Sequence, residues 1–217
     1  EWWGPLVEAA GKPEFFPGRE KSTDLSQGIH LLEAPDHILT RAEGDIHLYG
    51  NPHYILNPEN AKVMASTIRR KLSETDPGSA SFYEANEKAF TARLDEKIAQ
   101  WKALCVYCAG QEIISYHKDM AYLADFLGIK SEQYLEPKPG VPPTPRQLQF
   151  LEAYIKEKNI KAIVLPTYFP KDAAEGLAKR TGARVVTVCQ NAGELQGTES
   201  VIGLFDHNFK QISEALK

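Results

Sequence analysis

The sequence predicts an α/β fold in which a mostly parallel sheet, flanked by helices, is reached through one long helix. Three observations predict it. From Glu112 onward, short apolar runs alternate with helical stretches of 10 to 17 residues, a pattern that implies right-handed βαβ crossovers and parallel strands covered on both faces. Between Asp76-Pro77 and Leu104, the residues Tyr83, Phe90, Leu94, Ile98 and Trp101 fall 7, 4, 4 and 3 apart, one face of a single helix about 40 Å long. Hydrophobic residues make up 42% of the 217-residue chain and charged residues 25%, ordinary globular usage that excludes a disordered or collagen-like chain.

The elements follow in order. Glu1–Gly11 reads as an amphipathic helix closed by a C-cap glycine. Residues 12–50 are rich in proline and glycine, with short strands expected over 28–32 and 46–49. Asn57 as N-cap and Pro58 in the first turn open a helix over 58–74, with Ala61, Met64, Ala65, Ile68 and Leu72 as its apolar face. The long helix follows; its length suits an element that joins two units. Strands are then expected over 112–116, 130–135, 162–165 and 184–188, and helices over 118–127, 145–158, 171–181 and 200–216. Gly128 and Gly182 end two of these helices.

The charge balance, 25 Lys+Arg against 29 Asp+Glu, is −4. Without a basic block, this argues against nucleic acid as a partner, because phosphate neutralisation needs a basic face. No apolar run approaches the ~20 residues of a spanning helix. Three cysteines are too few for a disulfide framework. Cys105-x-x-Cys108 follows a helix and precedes a strand, which reads as a buried pair or an incidental disulfide rather than a redox catalyst, whose motif sits at a helix start.

In open parallel sheets, ligands bind outside the carboxyl ends of the strands. The residues that follow the expected strands are His117, then Glu136, then Thr167 and Tyr168, then Cys189, Gln190, Asn191 and Glu194. An imidazole and two carboxylates on one edge suit a cation, and His53, on a stiff turn beside Pro52, is placed to add a second imidazole. His47 in Gly44-Asp45-Ile46-His47 reads more readily as a loop residue, and His30, His37 and His207 do not cluster.

The stretch Gly44-Asp45-Ile46-His47-Leu48-Tyr49-Gly50-Asn51-Pro52-His53-Tyr54-Ile55-Leu56-Asn57-Pro58-Glu59-Asn60-Ala61 resembles the signature of metal-ion ABC-transporter solute-binding proteins, the zinc and manganese receptors. Asp76-Pro77, Ser115-Tyr116-His117-Lys118 and Glu136-Pro137-Lys138-Pro139-Gly140 match the same family in order and separation. The resemblance implies two α/β lobes, each with a mostly parallel sheet flanked by helices, joined by one rigid helix. On this chain they would be residues 1–75, 76–104 and 105–217. It implies that the amino-terminal lobe is incomplete here, lacking its first strands and the family's first histidine. It carries two metal ligands onto His53 and His117, expected to face each other from opposite lobes. His47 lies in the matching segment, and Glu194 is the nearest acidic residue to the family's last ligand.

The function so implied is capture of a divalent ion, without catalysis, and its delivery to an ABC permease in the membrane. Imidazole donors favour Zn2+, with Mn2+ the alternative, and two histidines alone leave half of a four-ligand zinc sphere unfilled, so binding by this stretch is expected to be weak or absent. The implied location is periplasmic or extracellular, with lipid anchoring as one form of it. The lobe lacking its first strands is expected to self-associate. Two other readings compete: a zinc hydrolase using His53, His117 and a water with Glu136 or Glu194 as base, and an adhesive, protein-binding module of the cell surface.

Overall fold

The computed structural model describes residues 3–34, 49–138 and 140–217. The chain divides into two compact units, Glu1–His30 with Glu59–Arg93, and Leu31–Pro58 with Leu94–Lys217.

In the first unit, α1 (Trp3–Ala9) is closed as expected. Gly11 takes φ of 62°, and the Lys12 amide reaches back to the Val7 carbonyl at 3.3 Å, satisfying carbonyls that the helix end leaves open. Trp3 Nε1 donates to the Phe15 carbonyl at 2.9 Å. The strand expected over 28–32 does not form: Gly28 has φ of 84° and the Ile29 amide closes on the Ser26 carbonyl at 3.0 Å. That run is a turn, and the strand expected over 46–49 lies almost wholly outside the described residues. Helix α2 (Pro58–Thr75) matches its expected span. Its apolar face is unevenly covered, since Ala61 is buried whereas Ile68 and Leu72 stay exposed. Arg69 Nε ties α2 to the next helix through Glu87 Oε2 at 2.8 Å.

The long helix α3 (Ala80–Leu104) has 25 residues and is preceded by a 3-10 turn, Pro77–Ser79. Asp76 anchors this entry by accepting the Tyr83 hydroxyl at 3.0 Å. Hydrogen bonds from Ser79 and Tyr83 hold the Asp76 carboxyl below its usual range. The helix begins in the first unit and continues into the second, where Leu94, Ile98 and Trp101 are buried.

The second unit is built on four parallel strands, β1 (Glu112–Ser115), β2 (Lys130–Tyr134), β3 (Ala162–Pro166) and β4 (Arg184–Val188), in the order β2-β1-β3-β4. The all-parallel sheet confirms the expected α/β class. Helices α5 (Pro145–Lys158) and α6 (Asp172–Thr181) cover one face through Leu151, Ile155 and Leu177, which cluster with Ile114, Ile163 and Leu165. On α7 (Val201–Leu216), Phe209 stacks with Phe126 of α4 (Ala121–Leu127) and packs with Trp101 of α3. Such apolar burial on both faces is what a parallel sheet requires. Trp101 also donates to Asp206 Oδ1 at 2.8 Å, which satisfies its buried N–H.

Helix α4 starts at Ala121, three residues later than the sequence suggests. The reason lies at the carbonyl of Lys118, which accepts the Asn51 side chain at 2.9 Å instead of beginning a helix. The chain leaves β1 toward β2 and returns past it to β3. A topological switch therefore lies between β1 and β3, and the crevice it opens sits at their carboxyl ends.

Candidate metal centre

His117 leaves the end of β1 at that switch. Its Nδ1 lies 2.7 Å from Glu136 Oε2, with the imidazole 19% and the carboxylate 8% exposed. Glu136 follows β2, and the Gly140 amide also donates to its Oε2, at 3.4 Å. With its Nδ1–H donating to this carboxylate, His117 keeps the lone pair of Nε2 for a ligand. That is the arrangement by which carboxylates orient metal-binding histidines. Phe169, just past β3, lies 6.2 Å from the His117 ring and stacks on Tyr116 at 4.2 Å.

His53 meets His117 edge to face, with ring centres 6.2 Å apart and planes at 78°. The segment Leu31–Pro58, which carries His53, belongs to the same compact unit as the sheet. Asn51 is what seats it there. Its Oδ1 accepts the His53 amide at 3.0 Å, while its Nδ2 donates to Glu33 Oε2 and to the Lys118 carbonyl, each at 2.9 Å. Tyr122 of α4 adds a third tie, donating to the Asn51 carbonyl at 3.1 Å and accepting the Leu32 amide at 2.9 Å. One buried amide side chain thus fastens the His53 turn to the residue next to His117. Sequence reasoning quoted Asn51 only as part of a motif, because its partners lie 18 and 67 residues away.

The remaining candidates fare differently. His47 lies outside the described residues. Glu194 is occupied by its own loop: Oε2 accepts Thr167 Oγ1 at 2.6 Å and the Gln190 amide at 3.2 Å, and Oε1 accepts Asn191 through backbone and side chain, each at 2.9 Å. Burial alone would raise the Glu194 carboxyl, but these donors outweigh it and hold the group below its usual range. The carboxylate clamps the loop after β4 to the end of β3. Among the described residues, no three His, Cys, Asp or Glu side chains form a group that could hold a metal. The geometry brings together His53, His117 and, behind His117, Glu136.

The sequence reading missed Asp119. It is fully buried, its Oδ2 accepts Gln190 Nε2 at 2.6 Å, and its Oδ1 has no partner. Burial pushes this carboxyl up to about 7. Gln190 Oε1 in turn accepts the Tyr168 hydroxyl at 2.8 Å, so the loops after β1, β3 and β4 are linked by one polar chain. Desolvation pushes the Tyr168 phenol up to about 12, leaving it a donor at neutral pH.

The chain matches the family described as zinc-uptake complex component A, periplasmic, over residues 3–215. The high-affinity zinc uptake system protein ZnuA of Bacillus subtilis is 26% identical over 187 residues, which cover 85% of this chain and 57% of that protein. The manganese ABC transporter substrate-binding lipoprotein PsaA of Streptococcus mitis is 23% identical over 220 residues, covering 99% of this chain and 68% of that one. A crystal structure of ZnuA superimposes with a TM-score of 0.76 at 25% identity, covering 99% of this chain and 74% of its own. The chain therefore spans little more than half the length of the Bacillus relative. It belongs to the zinc-uptake complex component A family of metal-ion solute-binding proteins.

Proposed function

We propose that this chain is the ion-capturing part of an extracytoplasmic receptor that binds a divalent transition metal and hands it to an ABC permease, with zinc favoured over manganese. The observation that carries this reading is the pairing of His53 and His117 with their ring centres 6.2 Å apart. Two imidazoles on one tetrahedral ion at a Zn–N distance near 2.1 Å have ring centres roughly 5 Å apart, so the pair stands about 1 Å wider than a closed zinc site and a small approach of the His53 turn lets both rings share one ion. Glu136 supports it by fixing the His117 ring with the coordinating nitrogen outward. Two imidazole donors, with Glu136 held behind His117 on its Nδ1 side, favour zinc over the harder manganese.

In this reading the metal is cargo and the site performs no bond chemistry. The neutral imidazoles replace water on the ion, and Asn51 keeps them in register without touching it. Further ligands come from water or from residues outside the described set, with His47 the nearest in sequence to this motif. The relatives' names, a zinc uptake protein and a manganese transporter lipoprotein, support an extracytoplasmic setting; no helix among the described residues is long and apolar enough to cross a membrane.

Calorimetric titration with zinc and with manganese, against His53→Ala and His117→Ala, tests the proposal. Each substitution should weaken zinc binding by at least tenfold. Zinc affinity unchanged in both variants rejects it.

A further inference from the structure

We propose that Cys105 and Cys108 form a dithiol site that a small-molecule disulfide converts into an intramolecular disulfide, closing the turn between α3 and β1. Cys105 caps the 3-10 turn Val106–Cys108, and the Cys108 amide donates to the Cys105 carbonyl at 2.8 Å. This is the bond of a β-turn, whose first and fourth Cα atoms lie within about 7 Å. A disulfide needs Cα atoms about 4.4–6.8 Å apart with side chains that converge. The backbone bond of the turn brings the two residues into that neighbourhood, and both side chains are buried within the same turn.

The surroundings favour closure over other outcomes. Both cysteines are buried, at 3% and 0% exposure, but Val106 between them is 72% exposed, so the turn lies at the surface and a reagent reaches it by local opening. The proximity of the two thiols raises the Cys105 thiol and lowers that of Cys108, so Cys108 is the more readily deprotonated of the two. Cys105 Sγ also lies 3.6 Å from the Phe209 carbonyl, and the Tyr107 hydroxyl donates to the Ser213 carbonyl at 2.7 Å. The turn is therefore held against α7, and joining the sulfurs fixes a docking point of that helix. Cys189 takes no part: it is buried directly after β4, where its amide donates to Asn208 Oδ1 at 2.8 Å.

The reaction is thiol–disulfide exchange. The thiolate of one cysteine attacks a reagent disulfide, forming a mixed disulfide and expelling one reagent thiolate. The second cysteine gives up its proton and attacks the protein sulfur of that mixed disulfide, releasing the other half of the reagent. Two protein thiols are oxidised to one disulfide, and one reagent disulfide is reduced to two thiols. This site is independent of the metal centre.

The test is incubation of the 217-residue chain with oxidised glutathione at roughly pH 8, near the free thiol value, followed by intact mass and peptide mapping. The expected product has lost two hydrogens, links Cys105 to Cys108, leaves Cys189 free, and melts a few degrees higher in a manner reversed by dithiothreitol. In Cys105→Ser the exchange stops halfway, leaving one glutathione on Cys108. Two outcomes in the unaltered chain overturn the proposal: both thiols remain free or carry separate glutathiones, or the linked product melts lower than the dithiol.

Discussion

Replacing Glu136 by Gln tests the support behind His117 with little change in shape. The wild-type contact is a 2.7 Å bond between an imidazole 19% exposed and a carboxylate 8% exposed, so solvent screens it weakly. A hydrogen bond to a charged group contributes about 1.5–3 kcal/mol and a neutral one about 0.5–1.5. Glutamine can still turn its oxygen toward Nδ1–H and the Gly140 amide, so the loss is the charge assistance, about 1–1.5 kcal/mol. With 1.4 kcal/mol per factor of ten, zinc affinity should fall about tenfold, at the low end of the range for residues that orient metal ligands. Glu136→Ala, which removes the acceptor and frees the ring, should fall further, toward a hundredfold. Competition against a chromophoric zinc chelator measures both, and urea unfolding shows whether the fold is kept. Glu136→Gln that binds zinc within about twofold of the wild type, fold intact, refutes the reasoning.

Other predictions follow from the same geometry. Asn51→Ala leaves the His53 amide, the Lys118 carbonyl and Glu33 short of a partner, so it should cost about 1–3 kcal/mol of stability for each buried group left unpaired and weaken zinc binding together with it; urea unfolding and zinc titration read the two effects. Trp101→Ala empties the contact with Phe205 and Phe209 and should destabilise the second unit by about 3–5 kcal/mol in urea unfolding, with m unchanged. Asp76, held below its ordinary value of 3.8, stabilises the start of α3 fully above that value and loses its hold as pH falls through the lower folded-state value. Amide exchange in the first turn of α3 should therefore rise only in strong acid, and Asp76→Asn should remove that pH dependence.

Much of the fold was legible because local signals and tertiary demand agree. Helix α5 begins at Pro145 behind a Thr144 cap that accepts the Gln147 amide, and β4 occupies its expected residues, an apolar run bounded by the Gly182 turn. Where local signals were weak, long-range contacts decided. Gly28–Leu32 reads as a strand by its apolar residues, yet positive φ at Gly28 turns it aside. The carboxyl-end rule led to His117 and Glu136 without a structure, since each ends a strand of recognisable pattern. Asn51 and Asp119 were not legible, because each owes its role to a partner far along the chain: Lys118 for one, Gln190 for the other. At Glu194, the acidic residue nearest in sequence to the family's last ligand, four donors from its surroundings engage both oxygens, a role that the sequence alone does not show.

Anomalous diffraction at the zinc edge, from crystals of the chain grown with zinc, addresses the shared-ion site without an intermediary. One peak is expected about 2.0–2.1 Å from a nitrogen of each of His53 and His117, on the Nε2 side of His117 and away from Glu136. A zinc peak that touches neither ring, or only one, contradicts it.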